Sequence, residues 1–500
     1  MTIVPSSEVR ILSGCRLKPD YKHSIWWVSA QNQYNYFNSL TKYTLSSVQY
    51  TRSTGNSIKV PYTVGQLLDC NYLIITNLGH ENKHYYAFIT DVEYVSETTS
   101  RVIYEIDLIQ TWYFECELMP CFVEREHPVT DIIGDNVLPE GLDIGQYITD
   151  EQNKISELVA DCIVVASTHK VEGGKLVRDP GKMYSLIYSG LYFTKFATTS
   201  AGIDALKAFI DLDSALTGGS GIVSIFMMPD AMFDDSNLGL GKLIDKYISK
   251  GHGTFDGYTP HNNKLYTYPY NFLSVSTPNG GSRAYHYERF DSDNCGFYLQ
   301  GDTTCNPGVL LTPINYNGAS VCRDESLMLT GYPQCAYSTD AFAAYLSQVC
   351  SAQGIVSSAQ NVAQVATGNP FGVVPVVGTL LGAAENAFIR PGEVRGNSNN
   401  STLYAASELN FIYSRKRVTG EYARIVDHYF DVYGYTCHEV KVPNRTSRPQ
   451  WNYIKTRDCC ITASIPSDIV TKIQDIYNNG ITFWCWGQNV GNYSLDNRPK

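Results

Sequence analysis

A strand-rich fold is indicated first by two runs of β-branched and aromatic residues, His84-Tyr-Tyr-Ala-Phe-Ile-Thr-Asp-Val-Glu-Tyr94 and Arg101-Val-Ile-Tyr-Glu-Ile-Asp-Leu-Ile109. Only a short stretch that ends in Thr98-Thr-Ser100 separates them, and each run has partial apolar–polar alternation. This pattern predicts a β-hairpin. Further strands are predicted from similar runs at residues 57–64, 71–76 and 162–166.

The composition excludes several classes of protein. Charged residues make up 17% of the 500-residue chain, whereas a soluble globular domain usually has about 25%. An aromatic content of 12% argues against disorder, and a mean hydropathy of −0.19 excludes a multi-pass membrane protein. The net charge of −11 argues against a protein that grips nucleic acid through its phosphates. The length suggests two to four domains.

Three segments have the apolar spacing of helices. Residues 203–212 are followed by the glycine-rich stretch Gly218-Gly-Ser-Gly221, and residues 241–248 form a second, shorter candidate. The third begins with Ser467 as N-cap and ends before Gly480. Its apolar face comprises Ile469, Val470, Ile473, Ile476 and Tyr477. Between the first two segments, the apolar run at 222–228 predicts a strand.

The most unusual segment is residues 341–384, which contain no Asp, Glu, Lys or Arg. Its apolar part from Phe371 onwards is interrupted by Gly and Pro and is shorter than the roughly 20 residues of a spanning helix. Two interpretations stay open: a membrane-inserting loop of small uncharged residues, or a buried hairpin at a subunit interface. The polar residues 390–402 that follow predict a flexible spacer.

No catalytic or metal-binding motif stands out. The 14 cysteines include no Cys-x-x-Cys pair, so no zinc site is predicted and we expect buried, reduced thiols. Glu124-Arg-Glu-His127 favours a structural ion-pair cluster, with general acid–base catalysis as the alternative. In a regular strand, Glu124 and Glu126 would face one way and Arg125 and His127 the other. No cofactor is predicted.

Seven stretches of the sequence resemble one protein family. They are Tyr86-Ala-Phe-Ile-Thr-Asp-Val-Glu-Tyr94, Tyr104-Glu-Ile-Asp-Leu-Ile-Gln-Thr-Trp112, Cys121-Phe-Val-Glu-Arg-Glu-His127, Leu138-Pro-Glu-Gly-Leu-Asp-Ile-Gly145, Asp427-His-Tyr-Phe-Asp-Val-Tyr-Gly-Tyr435, Arg448-Pro-Gln-Trp-Asn-Tyr-Ile-Lys455 and Gly480-Ile-Thr-Phe-Trp484. These stretches resemble the tail knob family of phi29-like short-tailed phages (podoviruses). The resemblance implies a structural role for Phe88, Trp112, Glu124, Arg125, Glu126, His127, Tyr433, Tyr435, Trp451 and Trp484.

This resemblance implies a fold that is mainly β with a few helices (α+β). It implies tail-tube-like β-barrel or sandwich domains that form a hexameric tube, together with a long hydrophobic loop. We expect four segments: a β-rich tube domain at 1–140, a middle β-rich domain with short helices at 141–335, the hydrophobic loop at 336–402, and a C-terminal β-rich segment with one helix at 403–500 that completes the tube.

In such a tail protein, the loops of six subunits would close the lumen and leave it to penetrate the host membrane during genome ejection. The expected membrane-active residues are Ile355, Val356, Val362, Val365, Phe371, Val373, Val374, Val376, Val377, Leu380 and Leu381. The implied partners are five further copies in a homohexamer, other phage tail proteins and the host membrane. Genomic DNA would pass through the lumen without sequence-specific binding.

The leading hypothesis is therefore a structural, non-enzymatic virion protein at the distal end of the tail, made in the bacterial host cytoplasm. One alternative is a receptor-binding or host-attachment tail protein, because Leu265-Tyr-Thr-Tyr-Pro-Tyr-Asn271 could stack on sugars. A wall-degrading tail enzyme is the third hypothesis, and the absence of an obvious carboxylate pair or metal cluster in the sequence disfavours it.

Overall fold

The computed structural model describes residues 7–48, 50–51, 55–78, 82–156, 158, 161–172, 175–177, 183–184, 187–188, 192–217, 221–232, 244–250, 253–302, 308–317, 325–332, 334–335 and 409–499. The predicted hydrophobic loop at 336–402, with all eleven of its expected membrane-active residues, lies outside this part of the chain. The described residues are mainly β-strands with few helices, as the sequence predicted.

The α-helices in the described part of the chain are α1 (Ala30–Ser39), α2 (Val64–Leu67), α3 (Leu108–Thr111), α4 (Ser200–Thr217), α5 (Gly420–Tyr433) and α6 (Ser467–Asn479). The first strands are β1 (Ser7–Ser13), β2 (Ser24–Ile25), β3 (Thr41–Ser46), β4 (Tyr50–Thr51), β5 (Ser57–Val60), β6 (Cys70–Asn77), β7 (Lys83–Ser96), β8 (Thr99–Ile106), β9 (Cys116–Leu118) and β10 (Cys121–Glu126). The next are β11 (Tyr147–Lys154), β12 (Cys162–Ser167), β13 (Lys170–Glu172), β14 (Lys175–Val177), β15 (Met183–Tyr184), β16 (Ile187–Tyr188), β17 (Tyr192–Ala197), β18 (Ile222–Met228), β19 (Ile244–Ser249) and β20 (Asn271–Ser276). The last are β21 (Ser282–Tyr285), β22 (Asn294–Asp302), β23 (Gly308–Ile314), β24 (Leu327–Thr330), β25 (Gln334–Cys335), β26 (Ile412–Val418), β27 (Tyr435–Lys441), β28 (Trp451–Arg457), β29 (Ile461–Ala463) and β30 (Ile481–Trp484).

The chain forms two compact units. The first comprises Met1–Asp143, Thr254–Leu265 and Gly420–Lys500, and the second comprises Ile144–Gly253 and Tyr266–Thr419. The first unit is therefore built from both ends of the chain and a short central stretch.

A seven-stranded sheet in the order β3-β1-β6-β7-β8-β5-β4 dominates the first unit. Its outermost strands, β3 and β4, follow each other in the sequence, with only residues 47–49 between them. Because so short a link spans about 14 Å at most, the sheet must curve until its two ends lie close together.

One side of this sheet carries a core of its own. Leu73 and Ile75 of β6 point into it, and so do Val9 and Ile11 of β1 and Tyr104 of β8. All the buried members of this cluster come from the strands of the sheet and from α2. Among the described residues, the sheet and α2 thus supply all the buried side chains of this core.

The other side of the sheet packs against a second layer. Alternate residues of β6, Tyr72 and Ile74, share a core with Trp451, Phe483 and Trp484. These three aromatic residues belong to a five-stranded sheet in the order β2-β30-β28-β10-β27. Strand β2 pairs in parallel with β30. Helix α6 covers this core with the buried residues Ile473 and Tyr477.

The second unit contains three four-stranded sheets, in the orders β11-β26-β20-β21, β17-β12-β18-β25 and β19-β22-β23-β24. They share one hydrophobic core with α4, whose Ile203, Leu206, Phe209 and Ile210 follow helical spacing. Strand β12 is buried along its whole length, which explains its continuous apolar sequence.

Several predicted elements are confirmed. Strands β7 and β8 form the predicted hairpin, α4 contains residues 203–212, and β12 and β18 occupy the predicted runs. Within the described residues, no helix combines the length and the apolar character needed to cross a bilayer.

Four local predictions are wrong in detail. Residues 244–249 form strand β19 rather than a helix, because they pair with β22 in an antiparallel ladder, and such pairing overrides a weak local preference. Strand β8 stops at Ile106 because the Asp107 side chain accepts the Gln110 backbone N–H and caps α3. Strand β5 ends at Val60, before Pro61.

The N-cap of α6 is also displaced from the predicted position. Helix α6 begins at Ser467, and Pro466 occupies the N-cap position with extended backbone angles. The Pro466 carbonyl accepts the backbone N–H groups of Ile469 and Val470. A proline suits this place because its fixed φ and missing N–H cost the helix nothing.

Candidate functional site

The resemblance-bearing residues all lie in the first unit, and most of them surround strand β10. Strand β10 contains a bulge between Val123 and Arg125, where the register against β27 and β28 shifts. A bulge interrupts the alternation of side chains, so the predicted grouping of Glu124 with Glu126 on one face is wrong. Glu124 is half-buried, whereas Glu126 is buried.

Each charged residue of the Glu124-Arg-Glu-His127 motif binds a separate partner. Glu124 accepts from Lys455 at 2.9 Å and Arg457 at 2.7 Å, and the Lys455 hydrogen bond contributes most to its lowered pKa. Glu126 accepts from Lys441 at 2.9 Å and from the Asn444 backbone N–H at 3.0 Å. The motif therefore ties β10 to both of its neighbouring strands rather than presenting an acid–base pair to solvent.

The most deeply buried ion pairs of this region converge on Glu140. Its carboxylate accepts from Arg125 and Lys264, and also from the Thr436 backbone N–H at 3.1 Å and hydroxyl at 2.9 Å. Burial raises the pKa of this carboxyl, but the attraction of Lys264 and Arg125 outweighs that effect and holds the pKa of Glu140 below its usual range. One carboxylate thus joins three stretches of chain that are distant in sequence.

The two cations of this cluster also contact aromatic rings. The Arg125 guanidinium lies 4.9 Å from the Tyr429 ring centroid, and the Lys264 ammonium lies 5.0 Å from that of Tyr435. Arg125 also donates to the Gly434 carbonyl at 2.7 Å. Gly434 has φ +64°, and a Cβ there would come within 2.3 Å of the Glu126 carbonyl oxygen, so only glycine fits at this turn.

His127 is buried and has a fixed tautomer. Its Nδ1 accepts the Tyr453 backbone N–H at 2.8 Å, so Nε2 carries the proton and donates to the Asp431 carbonyl at 2.9 Å. Burial, reinforced by the nearby Arg448 guanidinium, lowers the pKa of His127 to about 3. The imidazole therefore acts as a neutral bridge between β10, β28 and α5, and not as a proton-transfer group at neutral pH.

A cluster that the sequence did not indicate joins α5 to the central stretch. One oxygen of Asp427 accepts from the Tyr258 hydroxyl at 2.6 Å and the His261 backbone N–H at 2.7 Å. The other accepts from the Asn262 backbone at 3.0 Å and side chain at 2.9 Å. His261 Nδ1 lies 3.1 Å from Asp431.

The His261, Asp427 and Asp431 side chains are close enough to hold a metal ion, with ligand atoms within 4.8 Å of one another. Both Asp427 oxygens, however, already accept two hydrogen bonds each. The geometry is that of a capped turn in which donors from the chain satisfy a buried carboxylate. No short sequence motif could reveal this hydrogen-bonded cluster, because Asp427 and its partners at residues 258–262 are far apart in the chain.

The remaining resemblance-bearing residues are aromatic, and Phe88, Trp451 and Trp484 among them belong to the core between the two sheets. Trp451 and Trp484 are buried with ring centroids 5.1 Å apart, and the Trp451 indole donates to the Asp431 carbonyl at 2.6 Å. Phe88 packs edge-on against Tyr72. Tyr433 packs edge-on against Tyr453. The Tyr435 hydroxyl donates to Asp131 at 2.6 Å. The Lys83 ammonium lies 4.3 Å from the centre of the Trp112 ring.

An exposed apolar segment, residues 129–138, follows this cluster. Val129, Ile132, Ile133, Val137 and Leu138 are each between 37% and 65% exposed. The segment is nonetheless fixed in place, since Asp131 within it accepts from Tyr435 and Asn263 and the buried Glu140 follows it. A rigid segment that presents apolar side chains to solvent is typical of an interaction surface.

Comparison with known proteins agrees with this architecture. A family model described as Bacillus phage phi29, Tail knob protein gp9, C-terminal domain, matches residues 239–498. A second, described as Caudoviral major tail protein N-terminus, matches residues 5–117.

Similar proteins match over the full length. The chain is 25% identical to tail knob protein gp9 of Bacillus phage PZA and 24% identical to that of Bacillus phage phi29, with 100% of each chain covered. The fold is similar to that of the bacteriophage C1 tail knob protein gp12, with a TM-score of 0.60 and 13% identity over 98% of this chain and 99% of that one. Since the gp9 family model covers more than half of the sequence, this chain belongs to the tail knob protein family of phi29-like phages.

Proposed function

We propose that this chain forms the distal tail tube, or knob, of a short-tailed phage virion and acts there as a structural protein without a catalytic site or cofactor. The full-length match to tail knob proteins is the observation that carries the proposal. In this proposal the chain is made in the bacterial host cytoplasm, assembles as a homohexamer and contacts other tail proteins. The division into segments 1–140, 141–335, 336–402 and 403–500 remains a prediction.

The curvature of the seven-stranded sheet supports a barrel-like tube domain. Its end strands β3 and β4 are held close by their short link, and its inner face carries its own core. A sheet that closes in this way protects its edge strands from uncontrolled pairing. The wall of a tube can then be assembled from such domains.

The segment 129–138 supports association of the copies. A monomer that exposed five apolar side chains in one fixed segment would carry them at a cost in solubility, and burial against a neighbour would gain roughly 25 cal/mol per Å². We propose that this segment contributes to subunit contacts in the tube.

The uncharged segment 341–384 supports the membrane proposal. Apolar loops from six copies can cover one another inside a lumen, and the same surfaces favour a bilayer once they are released. No charged side chain of this segment would have to enter the hydrocarbon, where each costs about 2.5–3.5 kcal/mol. The net charge of −11 is compatible with a lumen that DNA phosphates pass without binding.

The receptor-binding alternative gains no support from the described residues of its motif. Tyr270 is buried, and the ring of Tyr268 is stacked at 4.0 Å on His286. Tyr270 therefore offers no face to a sugar, and Tyr268, which is 39% exposed, has one of its two ring faces covered by His286. The acid–base motif is likewise engaged in internal contacts, which supports a structural role.

Assembly is tested by negative-stain electron microscopy of the purified full-length chain. We expect six-fold rings or short tubes, and a preparation that contains only monomers would contradict the hexamer. Ile132→Asp should weaken ring formation, whereas Ile425→Asp should not. The matched control is informative because Ile132 and Ile425 are 65% and 60% exposed, and only Ile132 lies in the segment 129–138.

Membrane activity is tested separately by dye leakage from phosphatidylglycerol–phosphatidylethanolamine vesicles. We expect leakage with the full chain and little with a variant that lacks residues 341–384 or carries Val374→Asp and Val377→Asp. Leu68→Asp, a change at an exposed position of the first unit, serves as the control. Undiminished leakage from the deletion variant would overturn the role of the loop but not that of the tube.

A further inference from the structure

Three cysteines lie close together where β10 begins and β28 ends. Phe122 of β10 pairs with Arg457 of β28 in an antiparallel ladder, so Cys121, one residue earlier, lies opposite the turn that contains Cys459 and Cys460. Leu118 of β9 pairs with Ile461 of β29, and the Met119 backbone N–H donates to the Cys460 carbonyl at 2.9 Å. The two ladders on either side therefore place Cys121 within one register position of Cys459. Both are free and buried, whereas Cys460 is free and exposed.

We propose that Cys121 and Cys459 form a disulfide after the protein leaves a reducing compartment, and that Cys460 is the entry point for the oxidant. Two cysteines on adjacent antiparallel stretches, one register position apart, can bring their sulfur atoms together by small side-chain rotations, and this is the arrangement from which a disulfide forms. The bond would join β10 to the segment after β28, two stretches that are far apart in the sequence. Neither of the two buried thiols has a role in the proposed function.

The oxidant is a small-molecule disulfide such as oxidised glutathione. The Cys460 thiolate attacks one of its sulfur atoms and releases one glutathione thiolate, which leaves a mixed disulfide on Cys460. The Cys121 thiolate then attacks the Cys460 sulfur and releases the second glutathione thiolate. Finally, the Cys459 thiolate attacks the Cys121 sulfur and displaces Cys460. Overall, two protein thiols lose two electrons and two protons, and one glutathione disulfide becomes two thiols.

The environment of the thiols explains why this bond would form late. Burial raises the pKa of Cys121, and it raises that of Cys459 to about 12, so direct reaction of either thiol is slow. In a reducing cytoplasm both thiols remain protonated and sheltered. The inference rests on the proposed function in one respect, namely that a virion protein leaves the cell.

The experiment uses the purified full-length chain with oxidised glutathione at pH 8, followed by peptide mapping without reduction. We expect a cross-linked peptide pair that contains Cys121 and Cys459, with the loss of two hydrogen atoms in mass. The unfolding midpoint reported by tryptophan fluorescence should rise by roughly 4–8 °C and return on reduction. All six tryptophans lie in the first unit, so this signal reports the part of the chain that contains the bond.

Variants separate the roles of the three thiols. Cys121→Ala should abolish both the cross-link and the rise in unfolding midpoint, whereas Cys460→Ser should slow the formation of the same cross-link. Cys437→Ala, a change at a half-buried thiol of the same unit, should leave both unchanged. Glutathione attached to Cys460 alone, or a map without the Cys121–Cys459 pair, would overturn the proposal. Because the map is made on the unmodified chain, the result is independent of variant folding and of whether rings form in the microscope.

Discussion

Replacement of His127 by glutamine should make the first unit less sensitive to acid. The imidazole is 1% exposed, and its Nδ1 accepts a backbone N–H from Tyr453. Protonation would turn Nδ1 into an N–H group that faces the Tyr453 backbone N–H. It would also leave the positive charge of the imidazolium without water. The folded state therefore resists protonation, and the pKa of His127 falls from 6.5 to about 3.

The sign and size of the effect follow from linkage. The unfolded chain binds a proton at this histidine below pH 6.5, and the folded chain does not until about pH 3. The free energy of unfolding therefore falls as the pH drops through this interval, by about 1.4 kcal/mol per pH unit. From pH 6.5 to 4.5 the contribution of His127 is a loss of about 2.3 kcal/mol, because the unfolded histidine is already half protonated at pH 6.5. Glutamine keeps polar atoms at this place but cannot be protonated.

The assay is urea unfolding followed by tryptophan fluorescence at pH 6.5, 5.5 and 4.5. At pH 6.5 we expect His127→Gln to be less stable by about 1–3 kcal/mol, because its amide cannot reproduce both hydrogen bonds. Between pH 6.5 and 4.5 the free energy of unfolding of the wild-type chain should fall by about 2.3 kcal/mol more than that of the variant. Other titrating groups are common to both proteins and cancel in the difference.

His428→Gln is the matched control, because His428 is exposed on α5. We expect its pH dependence to follow that of the wild type. Equal slopes for His127→Gln and the wild type would refute the reasoning, since they would mean that the buried imidazole is protonated as readily as in the unfolded chain.

Three further changes test the polar framework of the first unit by urea unfolding. Glu140→Gln should lower the free energy of unfolding by about 3–5 kcal/mol, because Lys264 and Arg125 lose their carboxylate partner. Glu93→Gln, in an exposed pair, should lower it by at most about 1 kcal/mol. Gly434→Ala should lower the free energy of unfolding by at least about 2 kcal/mol more than Gly14→Ala. Both glycines have positive φ, but only at Gly434 would the new Cβ approach a backbone atom, the Glu126 carbonyl oxygen, to 2.3 Å. A chelator should leave the unfolding midpoint unchanged, because chain donors already satisfy Asp427. A lower midpoint would identify a bound metal instead.

The elements that the sequence predicted well are stabilised by residues close to them in the chain. The β7–β8 hairpin turns within a few residues, and α4 and α6 carry their apolar faces in their own sequence. Strand β19 was missed because its conformation depends on β22, which lies much later in the sequence. A window of eight residues contains no information about that partner.

The polar sites of the first unit were out of reach for the same reason. Glu140 was identified only as part of a resembling stretch, and its pairing with Lys264 depends on how the central stretch returns to the sheet. The bulge at Glu124 similarly changes the direction of a side chain without any local signature in the sequence. Motif spacing can suggest which residues carry charge, but the fold decides which of them meet.

The position of the uncharged segment in the chain makes its deletion a fair test of the proposed loop. Strand β25 precedes the segment and pairs with β18, and strand β26 follows it and pairs with β11 and β20. All of these strands belong to the second unit, whereas the described members of both cores of the first unit come from its stretches Met1–Asp143 and Gly420–Lys500. Repositioning or removal of residues 341–384 therefore need not break any contact that holds the curved sheet or the Glu140 cluster. If the tube is built from the first unit and the membrane activity from the segment, ring formation and vesicle leakage should be separable, and a variant that forms rings without leakage is the expected result of that separation.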